Sequence, residues 1–185
     1  MPSANTASWI RLGLLTLPVY GLLTFWSTLR PQPNPNEDFE AYARFVSFTS
    51  YMLGRLLGST LGTILAIFGV FALGAYLARS RAGRLALVAM VITVTGHALF
   101  LVISGISTFA TPSIGRAYLA GNEAVTEVDF GLAVTATFML GILLALVGNV
   151  LLGVAVWRSG TLSRWAGAIW AASALMFYVL GAVLG

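Results

Sequence analysis

His97 is the single histidine of the chain and lies inside the apolar run LALVAMVITVTGHALFLVISG. An ionisable side chain in such a run is costly, so its position alone makes it a functional candidate. A neutral imidazole there can ligate a haem iron or a chlorophyll magnesium, relay a proton, or hydrogen-bond to a neighbouring helix. Thr93 and Ser104 fall near the same helical face and extend it into a weak polar stripe. Asn149, in the run GLAVTATFMLGILLALVGNVLLGVAVW, sits at nearly the depth of Thr93, within reach of a hydrogen bond between helices. His97 and Asn149 are therefore the candidate cofactor-binding pair. Their ligand would be a haem, a chlorophyll-type pigment or a bound lipid held between helices.

The missing residue types exclude whole chemistries. There is no lysine for a Schiff base, and no cysteine for a disulfide, a thiolate nucleophile or a covalent haem link. One histidine cannot supply a multi-histidine metal site, and a bis-histidine haem would need a second ligand from a partner chain. No GxSxG, HExxH or P-loop pattern is present, so no metal or catalytic residue is assigned and the chain leans away from being an enzyme. Glu123 and Glu127, four apart, would share a face of an α-helix and invite a cation. Pairing of the external acids with Arg30, Arg44 and Arg116, or plain solvation, explains them better.

The elements that must position these residues are membrane spans. Of 185 residues, 58% are hydrophobic and 9% charged, far from the balance of a water-soluble domain. Apolar runs of membrane length occupy about 9–29, 53–78, 85–107, 131–157 and 165–184. The first lacks the basic leader and small-residue cleavage site of a signal peptide, and Pro18 should bend it. Segments 30–52 and 108–130 lie outside the bilayer. In the former, alternating Pro31, Pro33 and Pro35 stop the first helix, and Asn36 offers a cap for a helix from Glu37 to Tyr51. Its aromatic residues, Phe39, Tyr42, Phe45, Phe48 and Tyr51, suit an interfacial anchor, with a bend near Gly54 leading into the next span. The expected fold is an all-α integral membrane protein, a five-transmembrane-helix bundle with an external interfacial helix.

Charge sets the orientation. Arg11, Arg79, Arg81, Arg84, Arg158 and Arg164 fall on one side, against Arg30, Arg44, Arg55 and Arg116 with all six acids on the other. The positive-inside rule makes the first side cytoplasmic, so the amino terminus is inside and the carboxyl terminus external or periplasmic, in a bacterial inner membrane. The net charge of +4 thus serves topology and not nucleic acid. The arginines of RSRAGR and WRSGTLSR are placed to meet anionic headgroups at that surface, but topology already explains them.

In the second span, Gly58, Gly62, Ala66 and Gly69 form a smooth stripe on one helix face, where another backbone can approach within the chain or from a partner. Arg55, Ser59 and Thr63 make a polar edge beside it. Counting back from Ala78 places Arg55 about a turn beyond the hydrocarbon core.

The segments RAGRLALVAMVITVTGHALFLVISGI, TPSIGRAYLAG and VAVWRSGTLSRWAG resemble a loose group of small uncharacterised polytopic bacterial membrane proteins. These share a short Arg-rich turn, a Gly-rich span and a WRSG-like turn before the last helices. The resemblance runs from about Gly54 onward, agrees with the helix count and implies no activity. The expectation is a non-enzymatic subunit or accessory protein of a larger membrane assembly. Its partners would be membrane lipids with other membrane subunits or further copies of itself. A carrier of a lipid, quinone, carotenoid or porphyrin-type pigment is the alternative, and a lipid-modifying enzyme comes third.

Overall fold

A computed structural model describes residues 4–29 and 31–184; Met1–Ser3 of the leader and Arg30 lie outside the described residues. Among those residues every regular element is helical: α1 (Ala4–Thr28), α2 (Phe39–Ser47), α3 (Thr49–Gly54), α4 (Gly62–Leu77), α5 (Gly83–Gly105), α6 (Thr111–Leu119), α7 (Gly131–Ser159) and α8 (Arg164–Leu184). Two π-helical stretches, Arg55–Leu61 and Ile106–Ala110, join α3 to α4 and α5 to α6, and a 3₁₀ turn covers Glu123–Glu127. Four continuous helical segments are long and apolar enough to cross a membrane: Ala7–Ser27, Thr49–Leu77, Gly83–Leu119 and Gly131–Ser159. They mark the chain as a helical membrane protein.

Several boundaries differ from those read in the sequence. The helix after the proline-rich link starts at Phe39, because the Asp38 carboxylate, and not Asn36, accepts the Ala41 amide at 2.8 Å. Asn36 instead donates its amide to Asn34 at 3.0 Å in the preceding turn. The break falls at Phe48, whose extended backbone (φ −70°, ψ 139°) separates α2 from α3, whereas Gly54 is helical. The third apolar run, read as 85–107, stays helical beyond that bound and reaches Pro112 through the π-helical stretch Ile106–Ala110. That proline occupies the first turn of α6, where its missing amide N–H is tolerated, and helix continues to Leu119.

The chain divides into two compact units. The first comprises Met1–Leu17, Leu65–Phe100 and Thr137–Gly185. Its core joins Val70, Leu73 and Leu77 of α4, Ala82 in the turn before α5, Ala86 and Ala89 of α5, and Leu152, Ala155 and Val156 of α7. The small residues let these helices approach closely, and Leu14 and Trp170 pack over the cluster.

The second unit comprises Pro18–Ile64 and Leu101–Ala136. Here α2 lies on α6. Ala43 and Val46 are fully buried, and a Cβ on Gly115 would stand 2.6 Å from Val46 and 2.8 Å from the Ala43 carbonyl. Phe39 stacks edge-on to Tyr118 at 4.8 Å between ring centres, and Phe45 to Tyr51 at 5.7 Å.

Candidate functional site

His97 and Asn149 both belong to the first unit, on α5 and α7. Glycines bring these helices together. A Cβ on Gly96 would lie 2.8 Å from both the Ala145 Cα and the Gly141 carbonyl, and one on Gly148 would lie 2.5 Å from the Thr93 amide nitrogen. At that spacing His97 is only 5% exposed, with Nδ1 at 2.8 Å from the Thr93 carbonyl one turn back. A carbonyl can only accept, so Nδ1 carries the hydrogen, and Nε2 of the neutral ring presents its lone pair. Thr93 is fully buried and donates its hydroxyl to the Ala89 carbonyl at 2.7 Å.

Asn149 is held from two sides. Its amide donates to the Ala145 carbonyl at 2.8 Å, and its oxygen accepts the indole N–H of Trp170, on α8, at 3.1 Å. No hydrogen bond joins Asn149 to His97 among the described residues. The asparagine fastens α7 to α8, while the histidine is tied to its own helix.

The glycines of the small stripe face α1. In the second unit, a Cβ on Gly58 would meet the Ser27 side chain and lie 3.1 Å from the Leu23 carbonyl, and one on Gly62 would lie 3.4 Å from the Tyr20 ring. In the first unit, Ala66 is 2% exposed, and a Cβ on Gly69 would strike Leu17 and lie 3.0 Å from the Thr16 hydroxyl. That hydroxyl donates to the Leu65 carbonyl at 2.7 Å, a polar fastener beside the close contact.

A hydroxyl cluster in the second unit escaped the sequence analysis as a group. Thr60 Oγ1 lies 2.9 Å from Ser104 Oγ and 3.4 Å from Thr108 Oγ1, and the Tyr51 hydroxyl lies 3.3 Å from both the carbonyl and the hydroxyl oxygen of Ser107. Thr60 and Thr108 sit in the two π-helical stretches, which pack on each other. A π turn shifts the register of every side chain after it, so a face drawn at 3.6 residues per turn misplaces them. Ser104 lies on α5 ahead of the second π stretch, and its hydroxyl bonds to Thr60. The residues of the anticipated polar edge have other partners: Thr63 donates to the Ser59 carbonyl, and Arg55 donates to Gln32 at 2.8 Å with its guanidinium 5.3 Å from the Tyr51 ring centre. Nearby, burial raises the Tyr42 hydroxyl pKa above its ordinary value and Tyr51 adds to the rise, while Arg55 and a bond with Thr111 oppose it.

The acidic residues form no metal group among the described residues. Glu123 and Glu127 are exposed at the two ends of a 3₁₀ turn, where residues four apart diverge by about a third of a revolution and do not share a face. Asp129 caps α7 by accepting the Gly131 amide at 2.7 Å. Arg44 pairs with Glu40, the only ion pair among the described residues, and Arg116 donates to Ser113 at 3.1 Å. Compared with protein families, curated proteins and solved structures, the chain matches none.

Proposed function

We propose that the chain is a non-enzymatic integral membrane protein that acts as a subunit or accessory of a larger membrane assembly. The observation that carries this reading is where its intramembrane polar groups are spent. Asn149 fastens α7 to α8, Thr16 fastens α1 to α4, and Thr60 bonds to both Ser104 and Thr108, so these side chains join helices, and among the described residues they form no acid–base pair or nucleophile aimed at a substrate. The small stripe serves α1, so partners would meet the apolar outer faces, where Leu132 is 84% exposed and Trp165 73%.

In this reading α8, 21 residues long, is a fifth span of about 31 Å, α2 lies along the external interface, and the Arg-rich turns face the cytoplasm across a bacterial inner membrane. Copurification at native abundance tests the assignment. Partner chains that travel with it through mild detergent support the reading, and a chain that extracts alone as a monomer contradicts it.

A second reading rests on His97. Its Nδ1–H is anchored by the Thr93 carbonyl, which is the usual way a ligating imidazole is oriented with Nε2 toward a metal. The chain would then carry a porphyrin-type pigment, haem or chlorophyll-like, with His97 as the axial ligand. An absorption spectrum of the purified protein and its His97→Ala variant decides this reading. A Soret-type band lost in the variant supports it, and a wild-type spectrum showing only aromatic absorption removes it.

A further inference from the structure

The turns that close the Arg-rich ends of α4, α5, α7 and α8 enclose a recess of about 780 Å³ within the first unit, lined among others by Ser80, Arg81, Arg84, Trp157, Arg158 and Arg164. Four guanidinium groups line it and no carboxylate does. None of the four arginines has an ion pair among the described residues. Arginines placed only for topology would be expected to point separately into solvent. Here one of them is fixed.

Arg81 donates Nε–H to the main-chain carbonyl of Arg158 at 2.6 Å, tying the α4–α5 turn to the end of α7. No described residue accepts from its Nη groups. The neighbouring Gly160 has φ +71°, and a Cβ there would lie 3.1–3.2 Å from the Arg81 guanidinium. Both the turn and the seat of Arg81 therefore favour glycine at this position.

Backbone donors add to the side chains. The amides of Arg84 and Leu85, in the first turn of the 23-residue α5, have no acceptor among the described residues, and both residues line the recess. The level is marked by Trp157, which lines the recess and packs edge-on to Trp165 at 6.4 Å. Indole pairs of this kind prefer the headgroup layer of a membrane.

We propose that this recess binds a phosphate group, with Arg81, Arg84, Arg158 and Arg164 as its charged donors and the first-turn amides of α5 as its neutral ones. Planar guanidinium groups suit phosphate oxygens because they donate in pairs. Two sources share this chemistry, the headgroup of an anionic phospholipid and a soluble phosphate compound.

The test uses the full chain in nanodiscs. Exchange from phosphatidylcholine into mixed phosphatidylglycerol–phosphatidylcholine discs, followed by native mass spectrometry, reports retained anionic lipid. Thermal unfolding in phosphatidylcholine discs titrated with pyrophosphate reports the soluble source. The wild-type chain should keep the anionic lipid selectively or be stabilised by pyrophosphate; the first result identifies a headgroup and the second a soluble ligand. Arg84→Gln and Arg164→Gln should each weaken that binding about fivefold. Arg79→Gln, which removes the same charge from the same turn but does not line the recess, should change it less than twofold. The proposal is overturned if the wild-type chain shows neither response. It is equally overturned if Arg79→Gln weakens binding as much as Arg84→Gln, since that marks diffuse surface charge. Should a variant fail to fold, the two wild-type arms still decide.

Discussion

The indole nitrogen of Trp170 donates to the side-chain oxygen of Asn149 at 3.1 Å, a bond that joins α8 to α7. Asn149 is 9% exposed, and its amide already bonds to its own helix, so the tryptophan satisfies the remaining side-chain acceptor. Removing either partner should cost about 1 kcal/mol. Asn149→Leu and Trp170→Phe should each lower the unfolding temperature in detergent, and the double variant should lose less than the sum of the two. Strict additivity would show that the bond carries no coupling energy.

Glycines on a single helix should respond in opposite ways. Gly96 is pressed against the backbone of α7, whereas a Cβ on Gly105 would meet nothing within 4 Å. Gly96→Ala should therefore destabilise by about 1 to 3 kcal/mol through overpacking. Gly105→Ala should be neutral or stabilising by less than about 1 kcal/mol. Denaturation of the two variants side by side checks the contrast, and equal losses would contradict it.

The hydroxyl cluster predicts a graded response. Ser104→Ala removes the 2.9 Å partner of Thr60 and leaves Thr108 at 3.4 Å, so it should cost less than Thr60→Val, which removes both contacts. A loss of about 1 kcal/mol is expected for Thr60→Val by equilibrium unfolding. An Ser104→Ala loss larger than that of Thr60→Val would reverse the assigned geometry.

Tyr42 supplies a pH signature. Its hydroxyl pKa stands above the ordinary 10.0 because of burial and then of Tyr51. The folded chain thus holds this proton more tightly than the unfolded chain. That contribution to stability is complete below about pH 10 and is lost as pH rises through the folded value. Phenolate absorbance should show a component above pH 10 that Tyr42→Phe removes. Arg55→Gln should shift it further upward, because Arg55 pulls the pKa down. Ionisation of Tyr42 at or below pH 10 would contradict this.

The membrane-length helices were legible because hydrophobic run length alone places them, as with Gly131–Ser159. His97 and Asn149 stood out because polar residues are conspicuous in such runs. What they bond to was not legible, since Thr93 and Ala145 are reached through local rotamers and Trp170 through packing. The hydroxyl cluster was hidden because Thr60 and Thr108 sit in the two π-helical stretches, whose pitch a spacing of 3.6 residues per turn does not follow. The break at Phe48 was equally hidden, because it follows from Asp38 capping and from α2 lying on α6 while Gly54 stays helical. Topology accounted for Arg81, Arg84, Arg158 and Arg164 one by one, but their convergence on one recess depends on turns whose geometry no spacing reveals.

The assembly reading is tested most directly by detergent-free extraction into polymer-bounded discs at native expression, followed by native mass spectrometry. The account predicts a particle in which the 19.6 kDa chain is accompanied by at least one further polypeptide, another subunit or a second copy. A particle holding a single copy of this chain, with lipid alone, would contradict it.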